Sequence, residues 1–545
     1  MERPDVWIYD TTLRDGTQGH QVTFSAEDKL RIATRLDDVG FHYIEGGWPG
    51  SNPRDMRFFR MAGEIVFKNA RLTAFGSTRR SGMPADACPN IQALLEAATP
   101  VVTIFGKSWD LHATEILGIS LDENLSLIDD SVRYLKSKGR EVIYDAEHFF
   151  DGYKHNPRYA LKTIQTALEA GADSIVLCDT NGGTLTWELT EIFDGVASLI
   201  SPARLGIHAH DDCGLAVVNS LSAVTLGAAM VQGTVNGYGE RCGNADLISV
   251  IGNLELKMGR RCLPETSIRC LTSLSRYVSE VANLPPVRSK PFVGSNAFAH
   301  KGGVHVSAIR KNPVAYEHTD PQLVGNRRRV IVSDLSGKSN IEHKARELGI
   351  DLGTGNGISE KIVRDIKKME DEGYQFDTAD GSLSLLMRKA IGTFEEPFRL
   401  ESFRVIDEKT RDRSSHSQST IKISVGEEHE ITAAEGRGPV NALDNALRKA
   451  LSKFYPRISE MHLVDFKVRI LEGTDGTAAK VRVLLESSDD RDVWTTTGVS
   501  ENIIEASWHA LVDSMQYKLS KDMGNHLPEG GRKIDEIGKE QGIHI

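Results

Sequence analysis

The amino-acid sequence predicts an α/β protein built on a TIM (β/α)8 barrel, and three observations predict it. Short β-rich runs alternate with longer helical stretches through about the first 260 residues. Eight such units in about 250 residues is the customary size of that barrel. Polar side chains gather just after the runs, where a barrel carries its chemistry.

The predicted strands, in order, are Val6–Asp10, His42–Trp48, Arg71–Ser77, Val101–Lys107, Glu141–Glu147, Ser174–Thr180, Arg204–His210 and Met230–Gly237. The helical stretches include Ala26–Val39, Asn52–Glu64, Leu121–Lys138, Pro157–Glu169, Leu185–Ile200, Gly214–Leu226 and Ala245–Lys257. Val101-Val-Thr-Ile-Phe105 and Ser174-Ile-Val-Leu-Cys178 are nearly continuous apolar runs, as parallel strands buried on both faces are. An open doubly wound sheet is the alternative, and it often carries a Gly-rich phosphate turn after its first strand. Here the first strand runs instead into Asp10-Thr-Thr-Leu-Arg14-Asp15-Gly16-Thr-Gln18, which favours the barrel.

The barrel is assigned to residues 1–284. Residues 285–395 begin rich in Pro, Gly and Lys/Arg and then turn helical; they read as linker subdomains folded over the barrel mouth. Residues 396–522 carry an internal repeat. Thr420–Val425 and Glu430–Ala434 read as strands, and Gly436-Arg-Gly-Pro439 opens a helix with proline in its first turn. About 60 residues later Ala479–Leu485 and Val493–Thr497 repeat the strands and Gly498–Ile504 opens the second helix. Two strand–strand–helix units predict a small pseudo-symmetric α+β domain. Residues 523–545 form a polar tail, expected to fray.

The 545-residue chain is 40% hydrophobic and 26% charged, an ordinary globular balance. Its formal charge of −11 argues against a general nucleic-acid binder. The longest apolar runs are strand-sized, too short for a membrane span. The N-terminus shows no basic segment followed by an apolar one, and the six cysteines form no C-x-x-C pair. Together these predict a cytoplasmic protein with free thiols.

His208 and His210 give the sharpest chemical signal. Residues i and i+2 of a strand point to one face, so both imidazoles are directed into the barrel mouth with spacing suited to one divalent ion. Asp15 is the expected anionic third ligand. Strands 1 and 7 are both odd-numbered, and alternate strands share layers in a barrel. Arg14 and Glu147 fall on odd strands too, while Asn244, after strand 8, is a candidate neutral fourth ligand. Such a set leaves coordination positions for substrate and suits zinc, manganese, iron(II) or magnesium. Isolated H-x-H pairs are more often structural; it is the placement opposite Arg14-Asp15 that favours a metal. Asp211 and Asp212 are expected to cap the next helix, and Cys213 to be a buried small residue.

Four motifs carry a family resemblance. Leu13-Arg14-Asp15-Gly16-Thr17-Gln18, with Lys29 after it, resembles the first motif of the isopropylmalate, homocitrate and citramalate synthases. Leu205-Gly-Ile-His208-Ala-His210-Asp-Asp-Cys-Gly214 resembles their second, and Val235-Asn-Gly-Tyr-Gly-Glu-Arg-Cys-Gly-Asn244 a third, near the acetyl-CoA site. Asn296-Ala-Phe-Ala-His300-Lys-Gly-Gly-Val-His305 resembles the segment that covers the active site. The resemblance implies metal ligation by Asp15, His208 and His210 with Asn244 adjacent. It implies that Arg14 faces the oxo-acid carbonyl and Thr180 the substrate carboxylate. Glu147 and His305 match groups implicated in catalysis.

On that resemblance the chain is expected to join the acetyl group of acetyl-CoA to a small 2-oxo acid. Arg14 would stabilise developing oxyanion charge, and Glu147 or His305 would take the methyl proton. A simpler reading makes Glu147 an ion-pair partner of Arg14. Tyr144, Phe75 and Phe105 lie near strand ends, where bulk would favour pyruvate. Tyr144–Tyr153 and Glu45–Gly50 resemble the pyruvate-using citramalate branch, which serves isoleucine synthesis. A larger 2-oxo acid is the alternative. A homodimer is expected through the C-terminal domain, with isoleucine, or else leucine, as inhibitor bound near helix N-termini. The rival readings are an acyl-CoA lyase on the same barrel and a non-enzymatic amino-acid sensor.

Overall fold

Eight parallel strands close into a barrel in simple order, with the first strand hydrogen-bonded to both the second and the eighth. The computed structural model describes residues 5–197, 199–353, 357–409, 416–471 and 479–522; the expected polar tail lies outside them. In chain order the barrel elements are β1 (Trp7–Asp10), α1 (Ala26–Val39), β2 (Tyr43–Gly47), α2 (Pro53–Ala62), β3 (Arg71–Ser77), α3 (Pro89–Glu96), β4 (Val101–Lys107), α4 (Leu121–Ser137) and β5 (Glu141–Glu147). There follow α5 (Phe149–His155), α6 (Pro157–Glu169), β6 (Ser174–Asp179), α7 (Thr186–Ala197), β7 (Leu205–Ala209), α8 (Ala216–Thr225), β8 (Met230–Gly233), α9 (Leu247–Leu256) and α10 (Leu271–Val281).

Local chemistry explains where the helices begin. Ser25 and Asp28 form a reciprocal capping box at α1, satisfying two amide donors. Asn52 caps α2 and Asn156 caps α6, each followed by proline at the first helical position. Ser120 caps α4 by accepting from the Glu123 amide. The short helices α3 and α5 were not among the predicted stretches; each is too brief to show a helical period.

Side-chain alternation divides the barrel core in two. Tyr9, Tyr43, Val101, Ile143, Val176, Cys178 and Met230 fill the lumen. Their sequence neighbours, such as Ile8, Ile44, Val102, Val142, Ile175 and Val231, pack outward against the helices. Burying each such side chain contributes on the order of 1.5–3 kcal/mol.

The chain divides into two units. The first runs to Phe298 and takes in Thr319–Arg327; the second holds Ala299–His318 and the chain from Arg328 onward. In the second unit β9 (Ala299–His300) pairs with β10 (Arg329–Val330), and α11 (Gly303–Lys311), α12 (Lys338–Glu347), α13 (Ile358–Asp371) and α14 (Asp380–Ala390) form its helical part. Ile341, Ile362, Ile366, Phe376, Leu383 and Met387 make the core of these helices.

The C-terminal repeat is larger than the sequence suggested. Each copy has three antiparallel strands before its helix: β11 (Arg399–Glu408), β12 (His416–Val425), β13 (Glu428–Gly436) and α15 (Pro439–Ser452), then β14 (His462–Ile470), β15 (Val481–Ser488), β16 (Val493–Ser500) and α16 (Ile503–Asp522). The added strands β11 and β14 are mostly exposed, and each is broken by a register shift, between Leu400 and Ser402 and between Leu463 and Asp465, which interrupts the alternation early in the strand. Gly498 belongs to β16, and the second helix opens at Ile503. Gly436 and Gly498 are equivalent in the two copies. A Cβ on Gly436 would lie 2.3 Å from the Ala442 amide nitrogen, and one on Gly498 2.1 Å from the Ala506 carbonyl. Helix and strand approach too closely there for a side chain. Among the described residues, no helix is long and apolar enough to cross a membrane.

Candidate active site

The lumen ends in a polar cluster at the C-terminal mouth. Lys29, buried on α1, pairs with Asp55 and donates to the Gly46 carbonyl at 3.0 Å. Asp55 also accepts the Trp48 amide at 2.9 Å. This clamp shapes the turn after β2 and fixes Glu45, which is fully buried. Glu45 accepts from Tyr9 Oη, from Thr11 Oγ1 at 2.6 Å and from Arg14 Nε at 2.5 Å.

Arg14 is thereby held between two carboxylates, Glu45 and Asp15, the latter 3.4 Å from its Nη1. Burial opposes its charge, but these two carboxylates outweigh that and hold its pKa above the ordinary guanidinium value. Its guanidinium carbon sits 3.8 Å from the centre of the Phe75 ring. Phe75 stacks on Phe105 at 5.4 Å, and Trp48 meets both rings edge-on. Arg14 therefore presents its charge beside an aromatic wall.

Asp15, His208 and His210 come together as expected, although Asp15 lies in the turn after β1 rather than on the strand. Asp15 Oδ2 lies 3.3 Å from His208 Nε2 and 3.7 Å from His210 Nε2. One potential ligand atom from each falls within 4.8 Å of the others, and all three residues are buried. Burial tends to raise the Asp15 pKa, but Arg14 and the histidines hold it well below the carboxylate range. Burial and the neighbouring His208 push His210 down to about 4. Burial likewise opposes charge on His208, but its bond to Asp15 leaves its pKa above the ordinary value.

Three buried atoms of this cluster find no partner among the described residues: Asp15 Oδ1, His210 Nδ1 and Asn244 Oδ1. Orphaned acceptors are costly in a protein interior. Two such oxygens beside two imidazole nitrogens are the donor set a divalent ion satisfies, so the residues fit one. Asn244 forms an isolated antiparallel bridge with His210 and donates to the Tyr238 carbonyl at 3.2 Å. Its loop is anchored by Asn236, which bonds Ser275 and Ser279 of α10.

Gln232, paired in register with His208, was not singled out from the sequence. Its Oε1 lies 3.0 Å from His208 Nδ1, and its Nε2 donates to Asp145 Oδ1 at 3.0 Å. The carbonyl oxygen can only accept, so His208 carries its proton on Nδ1 and presents Nε2 toward Asp15. Burial and Glu45 push the Asp145 carboxyl up to about 7.

Other expectations meet a different arrangement. Glu147 pairs with Lys107, its register neighbour on β4, rather than with Arg14. Tyr144 does not face the lumen. It alternates with Ile143 and Asp145, so its ring packs outward with the strand–helix core; the expected contact with substrate is corrected accordingly. Thr180 follows the end of β6 with its Oγ1 accepting the His148 amide at 2.9 Å, which leaves the hydroxyl proton to donate elsewhere. His305 lies on α11 in the second unit, exposed and stacked on Tyr316 at 4.1 Å. Neither aspartate occupies the N-cap position of α8, which is Leu215; Asp211 accepts from the Ala216 amide at the first helical residue, and Asp212 binds Arg241. Cys213 is exposed, not buried.

Comparison with known proteins agrees along most of the chain. The HMGL-like family model matches residues 5–278, the homocitrate synthase post-HMGL domain-like model 292–374, and the LeuA allosteric (dimerisation) domain 377–519. The chain is 56% identical over 517 residues to the (R)-citramalate synthase of Geobacter sulfurreducens, covering 95% of this chain and 98% of the relative. It is 54% identical over 518 residues to that of Aquifex aeolicus, with the same coverage. It is 30% identical to the 2-isopropylmalate synthase of Methanocaldococcus jannaschii over 95% of this chain and 96% of that one.

Proposed function

This chain belongs to the HMGL-like family, in its (R)-citramalate synthase branch, and from that premise we infer that it condenses acetyl-CoA with pyruvate and water to give (R)-citramalate and CoA. The observation that carries the reading is the buried Asp15–His208–His210 cluster with Arg14 clamped beside it.

Asp15, His208 and His210 would hold a divalent ion, with Asn244 adjacent. When bound, such an ion supplies Lewis acidity toward the oxygens of a 2-oxo acid. Arg14, fixed by Glu45 and Asp15, offers a preorganised positive charge where oxyanion character develops on the ketone. Thr180 has a hydroxyl proton to give a substrate carboxylate. Glu147 is the first candidate to take the methyl proton of acetyl-CoA, with Lys107 beside it to return one. His305 is the second acid–base candidate. The resulting carbanion adds to the ketone carbon, and water then cleaves the thioester, releasing CoA.

The Phe75–Phe105–Trp48 wall supports a small 2-oxo acid, because a branched side chain would need the space these rings fill. The LeuA allosteric (dimerisation) match supports a homodimer formed through the second unit and an effector bound there, for which the candidates are isoleucine and, after it, leucine. Thiol release from acetyl-CoA, measured across pyruvate, 2-oxobutanoate and 2-oxoisovalerate, tests the assignment. Pyruvate is expected to give the highest kcat/KM; faster turnover of 2-oxoisovalerate overturns it. Calorimetric titration with isoleucine and leucine tests the effector: no heat from either, with unchanged kinetics, removes it.

A further inference from the structure

Within the second unit a cavity of about 440 Å³ opens among α11, α12 and the β9–β10 pair. Its floor is apolar, made by the buried Val306, Ile309 and Val330, with Pro313 at one side. Every other lining side chain is a guanidinium or an imidazole: Arg310, Arg328, Arg346, His300 and His343. No carboxylate lines the space, although the whole chain carries a formal charge of −11.

Two glutamates outside the lining hold part of this set in place. Glu317 accepts from both Arg328 Nε and Nη2 and lies 3.2 Å from His300 Nε2. Glu342 pairs with Arg310 at 3.1 Å, and its carbonyl accepts from Arg346 Nε at 3.2 Å. Among the described residues, no carboxylate pairs with Arg346. The cavity thus sets three guanidinium groups over an apolar floor, while burial and the neighbouring arginines lower the His343 pKa and leave that ring a neutral hydrogen-bonding group; its size lies within the range of small-molecule sites.

We propose that this cavity binds an organic phosphate, the phosphate held by Arg310, Arg346 and the two histidines and the organic part lying on Val306, Ile309 and Val330. Guanidinium forks match phosphate oxygens bidentately. Glu317 and Glu342 engage Arg328, His300 and Arg310, and Arg346 lines the same space with no carboxylate partner among the described residues. None of the barrel residues lines the cavity, and only the CoA outcome below rests on the reaction assigned above. The phosphate could belong to the 3′-phosphoadenosyl end of CoA or to a separate phosphorylated metabolite.

Calorimetric titration of the full chain with inorganic phosphate and with adenosine 3′,5′-bisphosphate tests this, with pyruvate and isoleucine as carboxylate controls. Wild-type protein is expected to bind a phosphate probe, and Arg310→Gln/Arg346→Gln to weaken that binding at least tenfold. Arg346→Gln alone, which breaks no ion pair, guards against a folding defect. A clear preference for the bisphosphate points to CoA; comparable affinities point to a separate metabolite. If neither phosphate probe binds, if both bind the variants as tightly as wild type, or if only the carboxylates depend on these arginines, the proposal is overturned.

Discussion

Replacing Gln232 by leucine isolates the part of the site that no ligand touches. The substitution removes two hydrogen bonds of 3.0 Å, one to His208 Nδ1 and one to Asp145. His208 then loses the acceptor that fixes its tautomer and ring plane. Losing such an outer partner typically weakens metal affinity about 10- to 100-fold, or about 1.4–2.8 kcal/mol. Asp145, buried and deprived of its donor, costs about 1–3 kcal/mol of stability in addition. Competition against a chromogenic chelator gives the metal Kd of the intact chain, and a thermal melt reports stability separately. Gln232→Leu protein that folds and binds zinc or manganese within twofold of wild type would refute the claim that Gln232 aligns His208.

Three further outcomes follow from the same geometry. Arg14→Gln should lower kcat about 10²- to 10³-fold, the usual loss for one preorganised oxyanion donor, while metal affinity measured by chelator competition changes little; unaltered kcat contradicts the role given to Arg14. Phe105→Ala opens the aromatic wall and should shift the kcat/KM ratio of 2-oxoisovalerate to pyruvate upward about tenfold or more, as one or two methylenes of added space allow; an unchanged ratio removes Phe105 from specificity. The third concerns Asp10, which burial pushes up to about 7 from 3.8 despite its bonds to Thr12. Its contribution to stability is complete below about pH 4 and is lost as the pH rises through about 7, because ionisation is then easier in the unfolded chain; the total is at most about 4 kcal/mol. Asp10→Asn should flatten stability across that window in pH-dependent melts, and a parallel curve would show that Asp10 does not titrate there.

Much of the site was legible because a strand has a period of two. That period alone places His208 and His210 on one face, whereas Asp15 lies past the end of β1 at the head of a 3-10 turn, where strand parity does not reach. The same rule, applied from Glu147 backward, points Asp145 and Ile143 inward and Tyr144 outward; the aromatic character of Tyr144 drew attention away from its parity. Gln232 is likewise visible as the register neighbour of His208, yet a lone glutamine in a strand carries no chemical signal. The partners of Arg14 and Glu147 were not legible. Glu45 and Lys107 reach them across strand pairs, and pairing of charges depends on which side chains the barrel closure brings level. In the C-terminal repeat, β12, β13, β15 and β16 announce themselves by alternation, whereas in β11 and β14 a register shift interrupts it and only Leu400, Phe403, Val405 and Phe466 turn toward the core.

The central claim is that Asp15, His208 and His210 share one divalent ion on which the condensation depends. Anomalous diffraction from crystals of the full chain soaked in manganese or zinc tests it most directly. The account predicts a single strong peak within about 2.0–2.3 Å of one atom from each of the three side chains, together with loss of pyruvate-dependent thiol release on chelation and its return with added metal. A peak elsewhere, or an ion-free protein that still condenses acetyl-CoA with pyruvate at full rate, would contradict it.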